Sequence, residues 1–117
     1  MYLMLIKPET YKLWKEALDH FKNSDELKKA GELTKASHEA IHAFLLGQRA
    51  IYELSKELKM PDLTEVANNA LHDFFERYMP SEGGKHYTPK ETIEWARNTL
   101  KRLSAELPTD TFEPFRY

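Results

Sequence analysis

Residues 33–58 read LTKASHEAIHAFLLGQRAIYELSKEL, and the architecture of the chain follows from this stretch. Small and apolar residues recur along it at the period of one helical face. They are Leu33, Ala36, Ala40, Ala43, Gly47, Ala50, Leu54 and Leu58, while Ile41, Leu45 and Tyr52 lie on a second side. A helix that is apolar on two sides and rich in small residues is packed closely by its neighbours. We therefore predict that it is the central helix of a bundle.

Helical patterns continue on both sides of this segment. Before it, Pro8 suits the first turn of a helix, residues 23–25 (Asn-Ser-Asp) predict a break or a new N-cap, and Gly31 predicts the end of the first unit. After it, Pro61 is expected to stop the central helix. Residues 62–65 then resemble a capping box in which an aspartate takes the place of the usual hydroxyl residue.

Two more amphipathic helices are predicted in the second half of the chain. Residues 66–78 carry an apolar stripe, and residues 80–84 contain a proline and two glycines that predict a loop. Thr88 at an N-cap, a proline after it and Glu91 at the third helical position start the last helix. The predicted fold class is all-α, an antiparallel bundle of four to five helices in a single domain over residues 1–117.

Short segments lie at both ends of this domain. Residues 1–7 form an N-terminal arm that is apolar but far too short to span a bilayer. Residues 108–117 form a tail with three aromatic residues, Phe112, Phe115 and Tyr117. Because so many aromatic side chains are costly to expose together, we expect the tail to dock on its own domain or on a partner.

Composition narrows the classes of function. The chain has 117 residues, with 17 basic and 19 acidic residues and a net charge of −2, so it shows no overall charge that would favour nucleic acid or an anionic membrane as a partner. It contains no cysteine, which excludes disulfides and cysteine-ligated zinc and fits a cytoplasmic location. We expect a cytoplasmic protein with no membrane partner and no resident cofactor other than the zinc considered next.

One motif points to metal chemistry. His38-Glu39-Ala40-Ile41-His42 has the H-E-x-x-H spacing of zinc peptidases, in which two imidazoles one turn apart bind zinc and the glutamate acts as the catalytic base. The third ligand would come from a later helix, and His72 and Glu76 are the candidates. The absence of a strand pattern on which a peptidase would lay its substrate counts against this hypothesis.

The same histidines have a plainer interpretation. His38, His42, Leu45, Arg49 and Tyr52 form one helical stripe of mixed character, which is typical of a partly exposed packing or dimer surface. Arg49 and Tyr52 are then binding residues, while His72 and Glu76 are a simple pair one turn apart on a solvated face. We favour this interpretation.

Two segments together resemble a known family. Residues 31–37 (GELTKAS) lead into the small-residue helix, and residues 70–80 (ALHDFFERYMP) form a later helix. The combination resembles the archaeal PaREP family, which is related to the HEPN-like helical superfamily, although Glu32 stands where that family has an aspartate. The resemblance covers about residues 25–107. It implies an antiparallel helical bundle that is often a homodimer, and it implies no settled biochemical role.

The resemblance also bears on catalysis. Active HEPN ribonucleases carry an arginine followed four to six residues later by a histidine, and this chain lacks that spacing: the histidine after Arg49 is His72, and the one after Arg77 is His86. We therefore predict a homodimeric HEPN-like binding module rather than an enzyme. It would bind itself or another protein, in a setting related to nucleic acid or to toxin–antitoxin-type systems. The alternative is a small zinc metalloprotein or metallopeptidase.

Overall fold

Four α-helices make up the part of the chain that the computed structural model describes, which is residues 7–78 and 86–107. They are α1 (Pro8–Lys29), α2 (Leu33–Glu57), α3 (Pro61–Tyr78) and α4 (Pro89–Ala105). These two ranges contain no strand, so the all-α prediction is confirmed. The predictions for the arm before Lys7, for the loop within residues 79–85 and for the aromatic tail fall outside the described residues.

The helix α2 is central, because it packs against each of the other three helices. Its small-residue stripe lies in the core, where Ala36, Ala40, Ala43, Ala50 and Leu54 are fully buried. Gly47 marks the closest approach: a Cβ atom added there would lie 2.6 Å from both terminal methyl groups of Leu100 in α4. The prediction of a closely packed central helix is therefore confirmed within the described residues.

Large side chains from all four helices fill the space around this stripe. Trp14 from α1, Phe44 and Ile51 from α2 and Leu100 from α4 have no exposed surface. Burying a side chain of this size contributes about 1.5–3 kcal/mol relative to leaving it in water. From α3, the ring of Phe74 stacks on that of Phe44 at a centroid distance of 5.8 Å.

The first helix corrects one prediction. α1 continues without a break through Asn23-Ser24-Asp25. Ser24 is buried, and its hydroxyl donates to the backbone carbonyl of Ala36 at 2.7 Å, while Asp25 forms an ion pair with Arg97 of α4. Because other helices bind these polar side chains, they have no need to cap a new helix, and the predicted break is wrong.

The ends of α1 and α2 share one geometry. After α1, Gly31 has a φ of +82°, its N–H donates to the carbonyl of Lys28, and the N–H of Glu32 donates to the carbonyl of Leu27. After α2, Lys59 has a φ of +55° and takes the place that Gly31 has after α1. Both ends are Schellman motifs, in which one residue adopts a left-handed conformation that is easiest for glycine. The prediction for Gly31 is confirmed.

Prolines lie near the starts of both α3 and α4. α2 ends at Glu57, before the proline, and Pro61 is the first residue of α3. Asp62 therefore lies inside the first turn of α3, so its predicted role as N-cap is wrong. The prediction for α4 is confirmed, since the Thr88 hydroxyl accepts from the Glu91 N–H and the Glu91 carboxylate accepts from the Thr88 N–H. In the described part of the chain, none of the four helices has the length and apolar character needed to cross a membrane.

Candidate functional site

One stripe of α2 stays accessible, although the opposite small-residue stripe is buried from Ala36 to Leu54. His38, His42 and Arg49 are exposed on it, and Leu45 and Tyr52 are half-buried between them. These five residues are the mixed stripe that the sequence analysis selected. The structure thus places Arg49 and Tyr52, the predicted binding residues, on the open side of the central helix.

A groove runs beside this stripe, between α2 and the antiparallel α1. Glu9, Lys12, Leu13 and Glu16 of α1 and Arg49 of α2 line a cavity of about 330 Å³. Two carboxylates and two cationic side chains thus surround one half-buried leucine. We call the accessible stripe of α2 together with this groove the α1/α2 face. Because this face carries both positive and negative side chains, it is complementary to a partner surface that also carries both.

Beyond the groove, a histidine of α1 contacts Glu39, the glutamate of the H-E-x-x-H motif. The Nδ1 atom of His20 lies 2.5 Å from the Oε2 atom of Glu39, and both side chains are half-buried. The His20 ring also meets the His42 ring edge to face, with centroids 5.4 Å apart and planes at 88°. Glu39 therefore contacts a histidine of the neighbouring helix, and His42 packs against that same ring.

The predicted metal ligands do not come together. His72 and Glu76 are exposed on α3, and Glu76 lines a separate cavity beside α4. Residues 7–78 and 86–107 contain no group of three or more His, Asp or Glu side chains placed to hold a metal ion. The reason is the bundle geometry, since Glu39 and His42 of α2 contact His20 of α1, while Glu76 lines a cavity next to Trp95 of α4.

Several residues of this face were missed from the sequence. Lys12, Leu13 and Glu16 of the groove and His20 next to Glu39 were not selected as candidates. Together with Glu9 they recur at three- and four-residue spacings on α1, which is the signal of a shared helix face. That signal was present, but only the pairing of α1 with α2 shows that this stripe lies beside Arg49.

Electrostatic effects at the start of α4 are local. Hydrogen bonding to the Thr88 backbone, followed by hydrogen bonding to the Thr88 side chain and by the nearby positive charge of Arg77, lowers the pKa of Glu91 below its ordinary value of 4.5. The ionised form of Glu91 is thus the one that caps α4. This carboxylate is fully exposed and serves the helix rather than the α1/α2 face.

Comparison with known proteins adds no relative. No family model matches this chain, and no curated protein or solved structure shows a significant match to it.

Proposed function

We propose that this chain is an HEPN-like association module and that two copies bind each other through the α1/α2 face. One observation supports this most directly. The central helix presents Arg49 and half-buried apolar side chains beside a groove that carries charges of both signs. Such a surface offers both apolar contact and charge pairing to a partner.

The charges favour a second copy as the partner. In a twofold-symmetric interface, each patch meets itself turned by 180°, so the surface must be self-complementary. The groove carries Glu9 and Glu16 together with Lys12 and Arg49, and it can therefore pair opposite charges with its own copy. We propose that Arg49 of one copy pairs with Glu16 of the partner subunit.

The mixture of charges on this face does not favour nucleic acid as its main partner. A phosphate backbone is bound by clustered lysine and arginine with few acidic neighbours. Glu9 and Glu16 interrupt the basic side chains of this face, and Glu39 lies next to it in contact with His20. We therefore propose self-association as the primary activity, with the nucleic-acid-related or toxin–antitoxin-type setting resting on the resemblance alone.

Sedimentation equilibrium of three proteins tests this proposal. We expect the wild type to show twice the chain mass of 13.8 kDa. Arg49→Glu should weaken the dimer by about tenfold or more, because it replaces an attraction with a repulsion on both sides of the twofold axis. Lys101→Glu makes the same charge change at an exposed position of α4 and should leave the dimer intact.

A charge swap makes the test specific to one pair. If Arg49 pairs with Glu16 of the partner subunit, the double variant Arg49→Glu with Glu16→Arg should regain much of the lost affinity. A monomeric wild type at high concentration would refute self-association. An Arg49→Glu protein that dimerises as strongly as the wild type would place the interface elsewhere.

A further inference from the structure

A second cavity, of about 400 Å³, lies between α3 and the start of α4. Asp73, Glu76 and Arg77 of α3 line it together with Tyr87 and Trp95. Its volume is within the range of small-molecule sites, which is about 300–1,000 Å³. It shares no lining residue with the α1/α2 face, and Glu76 is its one residue that the sequence pointed to as a site candidate.

Arg77 is fixed in this cavity by aromatic rings. Its guanidinium carbon lies 3.7 Å from the centroid of Tyr87, 5.5 Å from that of Trp95 and 5.8 Å from that of Tyr78. Cations placed over aromatic faces at such distances are held by the ring quadrupole. The half-buried guanidinium is therefore oriented before any ligand arrives, which reduces the entropy that binding must overcome.

One hydrogen-bond chain holds the same guanidinium in place. The Nε atom of Arg77 donates to the Tyr78 hydroxyl at 3.2 Å, and that hydroxyl donates to the Oγ1 atom of buried Thr92 at 3.0 Å. A guanidinium has five N–H donors, and Nε supplies only one of them. Among the described residues, the two terminal nitrogens of Arg77 form no hydrogen bond or ion pair. They are the donors that bind a carboxylate in paired fashion.

The acidic residues of the cavity stay apart from Arg77. In the described part of the chain, neither Asp73 nor Glu76 forms an ion pair with it, although Asp73 lies one turn before Arg77 on α3. The guanidinium instead contacts the rings of Tyr87 and Trp95. The cavity is thus lined by one positive and two negative groups that form no ion pair with each other among the described residues, and both carboxylates are exposed.

We propose that this cavity binds a free α-amino acid as a zwitterion. Arg77 binds its carboxylate, and Asp73 with Glu76 binds its ammonium group. The separated charges match a ligand that carries both signs on one small frame. A phosphate dianion fits less well, because the two carboxylates would repel it. The rings of Tyr87 and Trp95, which also line the cavity, leave a small apolar surface for the ligand's side chain.

NMR on the full chain tests the proposal, with the twenty L-amino acids added one at a time. The indole N–H of Trp95, assigned with Trp95→Phe, is the reporter, and that of the buried Trp14 is the internal reference. We expect at least one amino acid to shift the Trp95 signal in a saturable way and to leave Trp14 unmoved. If none of the twenty shifts Trp95, the proposal is overturned.

Analogues of the tightest amino acid then separate its two charges. Its amide lacks the carboxylate and its deamino acid lacks the ammonium group, and each should bind at least about tenfold more weakly, as expected for loss of a charged hydrogen bond. Equal binding of the deamino acid would show a plain anion site and would overturn the zwitterion assignment. If the amide binds as tightly as the amino acid, the cavity is a plain cation site and the zwitterion assignment is likewise overturned.

Variants assign the groups to the charges. Arg77→Met should abolish discrimination between the amino acid and its amide, and the exposed Arg102→Met on α4 is the matched control with unchanged affinity. Glu76→Gln, at an exposed position that cannot threaten the core, should weaken binding of the amino acid. It should not weaken binding of the deamino acid, because it removes a charge that repels the carboxylate of that anion. If Glu76→Gln changes the affinity for neither the amino acid nor the deamino acid, the assignment of Glu76 to the ammonium group fails. This test remains valid even if Arg77→Met does not fold.

Discussion

The packing of α2 against α4 gives the sharpest test of the fold. Gly47 faces Leu100, and a Cβ atom added at Gly47 would lie 2.6 Å from each Leu100 methyl group and 3.1 Å from its Cγ atom. Leu100 is fully buried. Rotation about its last side-chain bond moves the methyl groups but leaves Cγ in place, so Gly47→Ala forces the leucine or the helices to shift.

Two opposing effects set the size of this change. Overpacking of a filled core costs about 1–3 kcal/mol, and alanine is favoured over glycine inside a helix by about 1 kcal/mol. We expect Gly47→Ala to lower the free energy of unfolding by about 1 kcal/mol. In a Leu100→Ala background the clash is absent, so the same substitution should raise it by about 1 kcal/mol. The expected coupling between the two sites is about 2 kcal/mol.

Urea unfolding of the four proteins of this double-mutant cycle, at one protein concentration, measures the coupling. Asn98→Ala and Asn98→Gly, at an exposed position in the middle of α4, calibrate the alanine–glycine difference without a packing change. If Gly47→Ala has the same effect with and without the Leu100 side chain, within about 0.5 kcal/mol, the close approach of α2 and α4 at this point is refuted.

Helix ends and pH supply the other predictions. Lys59→Gly should raise the free energy of unfolding by about 0.5–1 kcal/mol, because a left-handed lysine is strained and glycine is not. Gly31→Ala should lower it by about 1 kcal/mol, and since no atom lies within 4 Å of the added Cβ, a null result in denaturant titration would contradict the backbone argument. The NMR titration midpoint of Glu91 should fall below 4.5 and rise part of the way in Thr88→Ala. Because the pKa of Glu91 is lower in the folded state, its ionised carboxylate stabilises the fold at pH values above 4.5, and this stabilisation is lost as the pH falls through the folded pKa. A titration midpoint at or above 4.5 would disprove this.

The sequence predicted helix boundaries correctly where the hydrogen-bond partners of a capping residue lie within a few residues of it along the chain. The α4 start follows from Thr88 and Glu91, which bond to each other three residues apart. The buried stripe of α2 follows from its period and its small residues. The predicted break near Ser24 failed for the opposite reason, because the partner of that hydroxyl is the carbonyl of Ala36 on another helix. A side chain that suits a cap can equally serve a contact between helices.

The candidate sites depend still more on contacts across the bundle. The spacing of His38, Glu39 and His42 is local, and the sequence could reveal it. That Glu39 meets His20 of α1, and that Glu76 lies in a separate cavity, depend on how four helices pack. The ring arrangement around Arg77 joins residues of α3 and α4 in the same way. Periodicity identifies which residues share a face, but it does not identify the face that lies opposite.

Spin labels test the central claim, that two copies meet through the α1/α2 face. The native chain has no cysteine, so one introduced cysteine gives one label in each copy. Lys12→Cys places the label in the groove, and Asn69→Cys places it at an exposed position of α3. Pulsed electron paramagnetic resonance should give a defined distance between labels at position 12 that is clearly shorter than the distance at position 69. An absence of coupling at position 12, or a shorter distance at position 69, would contradict the account.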